Sequence, residues 1–255
     1  MEEKNINRIE KKYLISKSQK NDMLKVINKH MTFDKYHKSG VYNIYFDTDN
    51  FDLIIQSIDH PLFKQKLRAR SYEGYDRVFL EIKTKILGYA YYHDFLEMDD
   101  NDSRDNNIGF KRRVQITHSD YRHLISKKAS AVELAKKKNE KPTDLQIAKE
   151  IDYMISYFDL KPKILVYYNR ESYKGYGDLR LTFDENLSYR SHDPTFKRKA
   201  SDKKFFQDER NIVMEIKAHG HMPIWLVNAM SKSHIYPEQF SKIGKIYERI
   251  KQEGG

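Results

Sequence analysis

Polar and apolar residues alternate along several short stretches of this chain, and the alternation sets most of the expected elements. Arg8–Ile15 alternates imperfectly and puts Arg8, Glu10 and Lys12 on one side of an extended segment. Ser16 then stands where a helix cap is expected, and Met23, Leu24 and Ile27 give the following Lys17–His30 stretch an apolar stripe. Residues 41–47 read as a strand and residues 51–58 as a short helix. Residues 63–72 and 77–85, joined by the Glu73-Gly74-Tyr75-Asp76 turn, read as a hairpin with a charge at every second position.

Between about 119 and 158 the period changes from two to that of a helix, and Ala148, Ile151, Met154 and Ile155 predict a helical insertion. Its Ala- and Lys-rich part, 129–149, reads first as a solvated helix face. Strands resume over 163–173, 178–184 and 211–218, and helices are expected near 223–230 and 237–251. With no repeat or low-complexity linker, residues 1–255 read as one domain.

Composition narrows the partner. The chain carries 47 Lys and Arg against 37 Asp and Glu, a formal net charge of +10, which favours a polyanion. It has no cysteine, which excludes thiolate metal sites and cysteine nucleophiles and fits the cytoplasm. Neither a signal peptide nor an apolar run able to cross a bilayer is visible, so a soluble protein is expected. The histidines, His219 and His221 included, lack zinc-site spacing.

A single charged strand face is usually just the solvated side of a sheet. Here the habit recurs in Arg8/Glu10/Lys12, Lys66/Arg68/Arg70, Glu81/Lys83/Lys85, Arg180/Thr182/Asp184 and Glu215/Lys217. Strands closed into a barrel with these faces inward would line a tunnel too polar to collapse. Guanidinium and ammonium groups suit phosphate oxygens, and carboxylates among them suit a divalent cation that bridges phosphates.

The ordered set Arg8-Ile9-Glu10-Lys11-Lys12-Tyr13, Tyr45-Phe46-Asp47-Thr48, Lys66-Leu67-Arg68-Ala69-Arg70, Glu81-Ile82-Lys83, Tyr168-Asn169-Arg170, Arg180-Leu181-Thr182-Phe183-Asp184, Glu215-Ile216-Lys217 and Phe240-Ser241-Lys242 resembles the vacuolar-transporter-chaperone-type (VTC) polyphosphate polymerase domain. Order and spacing over residues 8–245 carry the resemblance, since each fragment alone is weak. It implies the triphosphate tunnel metalloenzyme (CYTH-like) fold: α+β, an eight-stranded antiparallel β-barrel with flanking helices. It also implies ATP-dependent polyphosphate synthesis with Mn²⁺ or Mg²⁺.

By the same resemblance Lys12, Arg68, Arg70, Lys83, Arg170, Arg180 and Lys242 contact phosphate, and Glu215 holds the metal. Tyr168 stacks on a nucleotide base, and Ser241 and Lys217 join it in substrate binding. The wider superfamily has Glu-x-Glu-x-Lys on its first strand, whereas Arg8 stands at the first of those positions here. Glu10 therefore stays open between a second metal ligand and an ion-pair partner of Arg70 or another arginine. The partners implied are ATP and polyphosphate, not nucleic acid, with a separate membrane protein and the oligomeric state left open. Two other readings stand beside polymerisation: a tripolyphosphate hydrolase on the same fold, and a non-catalytic polyanion-binding module.

Overall fold

The sequence places Ser16 between an extended segment and an apolar stripe, and there the backbone changes course. β1 spans Arg8–Ile15 and α1 spans Lys17–His30. The Ser16 hydroxyl accepts the Gln19 N–H at 3.2 Å while the Gln19 side chain accepts the Ser16 N–H at 2.9 Å. This reciprocal cap satisfies two donors that the first helical turn leaves over. The structure is a computed structural model that describes residues 8–59, 62–86, 108–137, 141–206 and 209–253.

β2 runs over Thr32–Asp47, and the expected 41–47 strand is its buried second half. Asp47 ends it and starts α2, Asp52–Ile58, by accepting the N–H groups of Leu53 and Ile54 at 2.9 Å each. β3, Phe63–Tyr72, and β4, Val78–Ile86, form the expected hairpin. Its turn contains Gly74 at φ +81°, a backbone region that favours glycine. β5, Ile108–Ile116, then pairs with β4.

The expected helical insertion consists of three helices: α3, His118–Ile125; α4, Ala131–Lys136; and α5, Pro142–Tyr157. Capping boxes open α3 and α4, and Pro142 opens α5 at a position where its missing N–H costs nothing. Residues 138–140 of the Ala/Lys-rich stretch lie outside the described residues. β6, Lys161–Lys174, β7, Arg180–Arg190, the two-residue β8, Lys203–Lys204, and β9, Ile212–His219, follow. The last elements are α6, Ile224–Lys232, and α7, Lys242–Glu253. The helix expected from 237 begins five residues later, at Lys242.

The protein is therefore α+β, with an antiparallel sheet of eight long strands plus β8. Among the described residues its path is open, because β1 and β5 end it without pairing. No helix among the described residues is long and apolar enough to cross a membrane.

The described residues group into two compact units, each drawn from several stretches of chain. The first holds residues 43–165 and 191–197, and its strand order includes β2–β3–β4–β5. Leu67 and Ala69 of β3, Leu80 and Ile82 of β4, and Val114 and Ile116 of β5 are buried on one face of these strands. Ile147, Ile151 and Met154 form the buried stripe of α5, which packs on β5.

The second unit holds residues 8–42, 166–190 and 198–253, with order β1–β9–β7–β6. Tyr13, Ile15, Leu181, Phe183, Met214 and Ile216 pack with Met23 and Ile27 of α1 and Leu226 of α6. Burying each large side chain contributes about 1.5–3 kcal/mol. In both units helices take the apolar sheet face, and the charged positions are left on the other.

Candidate functional site

In the first unit, register converts the charged faces of three strands into rows. Lys66 of β3 stands opposite Lys83 of β4, which stands opposite Lys111 of β5. The next row reads Arg68, Glu81 and Arg113, and the one after it Arg70, Phe79 and Gln115. Like charges directly opposite on neighbouring strands destabilise a sheet, so the lysine row is a local cost. Glu81 is the acidic member of these rows and is 1% exposed.

Arg68 donates to Glu81 Oε2 from Nε at 2.8 Å, and its Nη2 lies 2.7 Å from the same oxygen. Lys111 Nζ lies 2.7 Å from Oε1, and Arg70 stands 3.9 Å away while donating to Asn43 Oδ1 at 2.8 Å. Burial alone would raise the Glu81 carboxyl, but Arg68, Arg70 and Lys111 together bring it down to about 2.

Two neighbours shift in the direction that a crowded positive field imposes. Burial lowers Lys111 to about 8 with help from Arg70 and Arg68, although Glu81 opposes the shift. Burial would raise the Tyr45 phenol, yet Arg68, Lys66 and Arg70 outweigh it and bring it down to about 8. Sequence reasoning passed over Lys111 because β5 reads Lys111-Arg112-Arg113, with charges on both faces. Arg112 points the other way and pairs with Glu150 of α5 at 2.5 Å. The signal was the alternation Lys111/Arg113/Gln115.

The second unit arranges its charges with alternating signs. Glu10 stands opposite Lys217 and Lys217 opposite Arg180; Lys12 stands opposite Glu215 and Glu215 opposite Thr182. Asp184, fully buried, accepts from Arg170 Nε at 2.6 Å and Nη2 at 2.8 Å, and lies 2.7 Å from Lys242 Nζ. Burial pushes the Asp184 carboxyl up, but Arg170 and Lys242 override it and hold it low. Glu215 follows the same logic: burial is outweighed by Lys217, Lys242, Arg170 and Lys12, and its carboxyl sits well below the usual range. Lys242 moves upward, because Asp184, Tyr168 and Glu215 outweigh the burial that disfavours its charge.

Each nominated residue can now be placed. Arg68, Arg70 and Lys83 share the first unit's charged face. Lys12, Arg170, Arg180, Glu215, Lys217 and Lys242 belong to the second unit, as do Glu10, Tyr168 and Ser241. Glu10 pairs with lysines, Lys12 at 3.8 Å and Lys217 at 3.9 Å. The Ser241 hydroxyl caps α7 by accepting the Gly244 N–H at 3.3 Å. Tyr168 is 3% exposed, with Lys242 Nζ 4.9 Å and the Arg170 guanidinium carbon 5.2 Å from its ring centroid. Asp184 was legible as one charge of a face but not as the anchor of Arg170 and Lys242.

No three His, Asp or Glu side chains converge into a metal site among the described residues. Lys217 Nζ lies 2.7 Å from Glu215 and 3.9 Å from Glu10, a cation between two carboxylates. This donor set fits Mn²⁺ or Mg²⁺ in the form these ions take with nucleotides, one or two carboxylates with phosphate oxygens completing the shell.

Comparison with solved structures supports the fold. HpAC1 from Hippeastrum, a candidate adenylyl cyclase described as having a dominant triphosphatase activity, is 14% identical at a TM-score of 0.50, with 92% of this chain and 93% of that one covered. A candidate adenylate cyclase from Bacillus halodurans is 12% identical at a TM-score of 0.47, covering 92% and 96% of the two chains. The protein PH1819 of Pyrococcus horikoshii OT3 is 13% identical at 0.44, covering 95% and 99%. Comparison with curated proteins gave no match. The VTC domain model matches residues 7–249, nearly the whole chain, and this chain belongs to the VTC domain family.

Proposed function

We propose that this protein synthesises polyphosphate, transferring the γ-phosphoryl group of ATP to the end of a growing phosphate chain. The observation that carries the reading is the Lys66–Lys83–Lys111 row beside Arg68 and Arg70. A sheet that sets three lysines opposite one another loses stability unless an anion neutralises them, and a chain of phosphates does so at every strand spacing. Family membership favours the same substrate class.

In the transfer, a terminal oxygen of the acceptor chain bonds to the γ-phosphorus. The bond from that phosphorus to the β–γ bridging oxygen breaks, and ADP leaves with the electron pair. Negative charge spreads over the equatorial oxygens, so positioning and neutralisation supply most of the acceleration. Arg68, Arg70, Lys83 and Lys111 are the phosphate contacts of the first unit. Lys12, Arg170, Arg180 and Lys242 are those of the second, and Asp184 holds Arg170 and Lys242 in place. Glu215, with Glu10 as second candidate, would hold Mn²⁺ or Mg²⁺, which supplies further charge neutralisation when bound.

The test incubates the protein with ATP and Mn²⁺ or Mg²⁺ and follows phosphate chain length on a gel together with ADP and free phosphate. Long chains with ADP are expected. Free phosphate released from tripolyphosphate would replace the polymerase with a hydrolase, an activity described for HpAC1. Tight polyphosphate binding without turnover would leave a binding module.

A further inference from the structure

Tyr168 is poorly placed to receive a nucleotide base. At 3% exposure, with two cations near its ring, it has little face to offer. The second unit contains a different aromatic surface. A cleft of about 470 Å³ is lined by Leu14, Phe205, Phe206, Phe240, Lys245 and Arg249, with Glu238 and Gln239. That volume is within the range of small-molecule sites, which span roughly 300–1,000 Å³.

Its walls are rings. Phe206 and Phe240 stack at 5.9 Å and 22°, and Phe205 meets Phe206 edge-on at 4.9 Å and 83°. The Arg249 guanidinium carbon lies 4.7 Å from the Phe205 ring centroid, which gives the cleft a cation at its aromatic wall. Phe205 and Phe240 are buried, whereas Phe206 is half-buried and keeps surface for a ligand.

The cleft is also joined to a nominated phosphate residue. Leu14 follows Lys12 on the same face of β1, about 7 Å along the strand. The Glu238 N–H donates to the Lys12 carbonyl at 2.8 Å, and Lys12 Nζ donates to the Phe240 carbonyl at 3.2 Å. Two hydrogen bonds therefore fix the segment carrying Phe240 against the strand carrying Lys12. An aromatic cleft with cations, held beside a lysine of a charged strand face, has the layout that a base and its phosphates require.

We infer that this cleft binds the base of a nucleotide, with Phe206 as the stacking surface and the phosphates directed toward Lys12. The inference rests on the phosphate-binding reading of the second unit. It names the nucleoside end of the donor and moves it from Tyr168 to Phe206. Stacking on an aromatic side chain contributes enough for the base to be read in affinity, about tenfold or more.

Calorimetric titration with ADP and with pyrophosphate isolates the base, since neither ligand can donate a γ-phosphoryl group. ADP is expected to bind about tenfold more tightly than pyrophosphate. Phe206→Ala should abolish that preference and leave pyrophosphate binding intact, which also shows that the variant is folded. Phe206→Trp should retain it. Equal affinity for the two ligands, or an ADP preference that survives Phe206→Ala, overturns the cleft while leaving the phosphate reading standing. Binding of neither ligand removes the phosphate reading and the cleft with it.

Discussion

The two units carry charged strand faces of similar composition but opposite arrangement. On the first, register sets Lys66, Lys83 and Lys111 in one row and gives the surrounding cations one buried carboxylate, Glu81. On the second, Glu10, Lys217 and Arg180 alternate in sign, and Asp184 engages both Arg170 and Lys242. One face accumulates positive charge, and the other neutralises it internally. A cation in the first should therefore matter to the ligand and little to the fold, while an anion in the second should matter to the fold.

The largest effect expected is on stability in the second unit. Asp184→Asn leaves Arg170 and Lys242 buried beside a neutral amide, and breaking such a pair costs about 3–5 kcal/mol. Chemical denaturation should show this as a lowered midpoint. A midpoint within error of the parent protein would remove Asp184 as an anchor and blur the distinction between the faces.

Next in size is the loss of ligand in the first unit. Lys83→Ala should weaken tripolyphosphate binding by about tenfold to a hundredfold, the equivalent of one charge-assisted contact of roughly 1.5–3 kcal/mol. Its unfolding midpoint should stay level or rise, opposite to Asp184→Asn. Unchanged affinity would take the lysine row out of the phosphate site.

The third prediction uses pH. Lys111 is a cation below about 8 and neutral above it, while Tyr45 is neutral below about 8 and an anion above it. Both changes remove positive charge from the first face as pH rises from 7 to 9, so tripolyphosphate affinity should fall about tenfold across that window. Lys111→Arg keeps its charge throughout and should flatten the decline. Lys242, whose ammonium is shifted upward, does not titrate there. A decline of the same steepness in Lys111→Arg would assign it to another group.

The smallest effect is a gain. Lys85 stands opposite Lys64, and relieving that repulsion with Lys85→Gln should stabilise the ligand-free protein by about 0.2–1 kcal/mol at low salt. A loss of stability would mean that Lys85 has a favourable partner.

Much of this comparison was hidden in the sequence for a definable reason. Period-two alternation tells which residues share a face, and it identified Lys66/Arg68/Arg70 and Glu215/Lys217 correctly as face-sharing sets. It cannot tell which residue of the next strand stands opposite, because register is fixed by turns and long-range pairing. The difference between a like-charge row and an alternating one is a matter of register alone. Ser16 was legible because a cap acts within three residues, and Gly74 because its turn is local. β5 was missed because Arg112 faces Glu150 and breaks the polar–apolar rhythm. The first half of β2 was missed because most of its residues are exposed on both faces and leave no alternation to read.

The pairing of β1 with β9 has a consequence for the protein's birth. Ile15 pairs with Ile212 and Arg8 with His219, so the earliest described strand has no sheet partner until roughly two hundred further residues have been made. At ribosomal speeds of about 5–20 residues per second, that interval is on the order of ten to forty seconds. Throughout it, an extended segment with unpaired backbone groups on both sides is exposed to other nascent chains. The alternating charges Arg8, Glu10 and Lys12 that later face phosphate can keep that waiting strand apart from its neighbours.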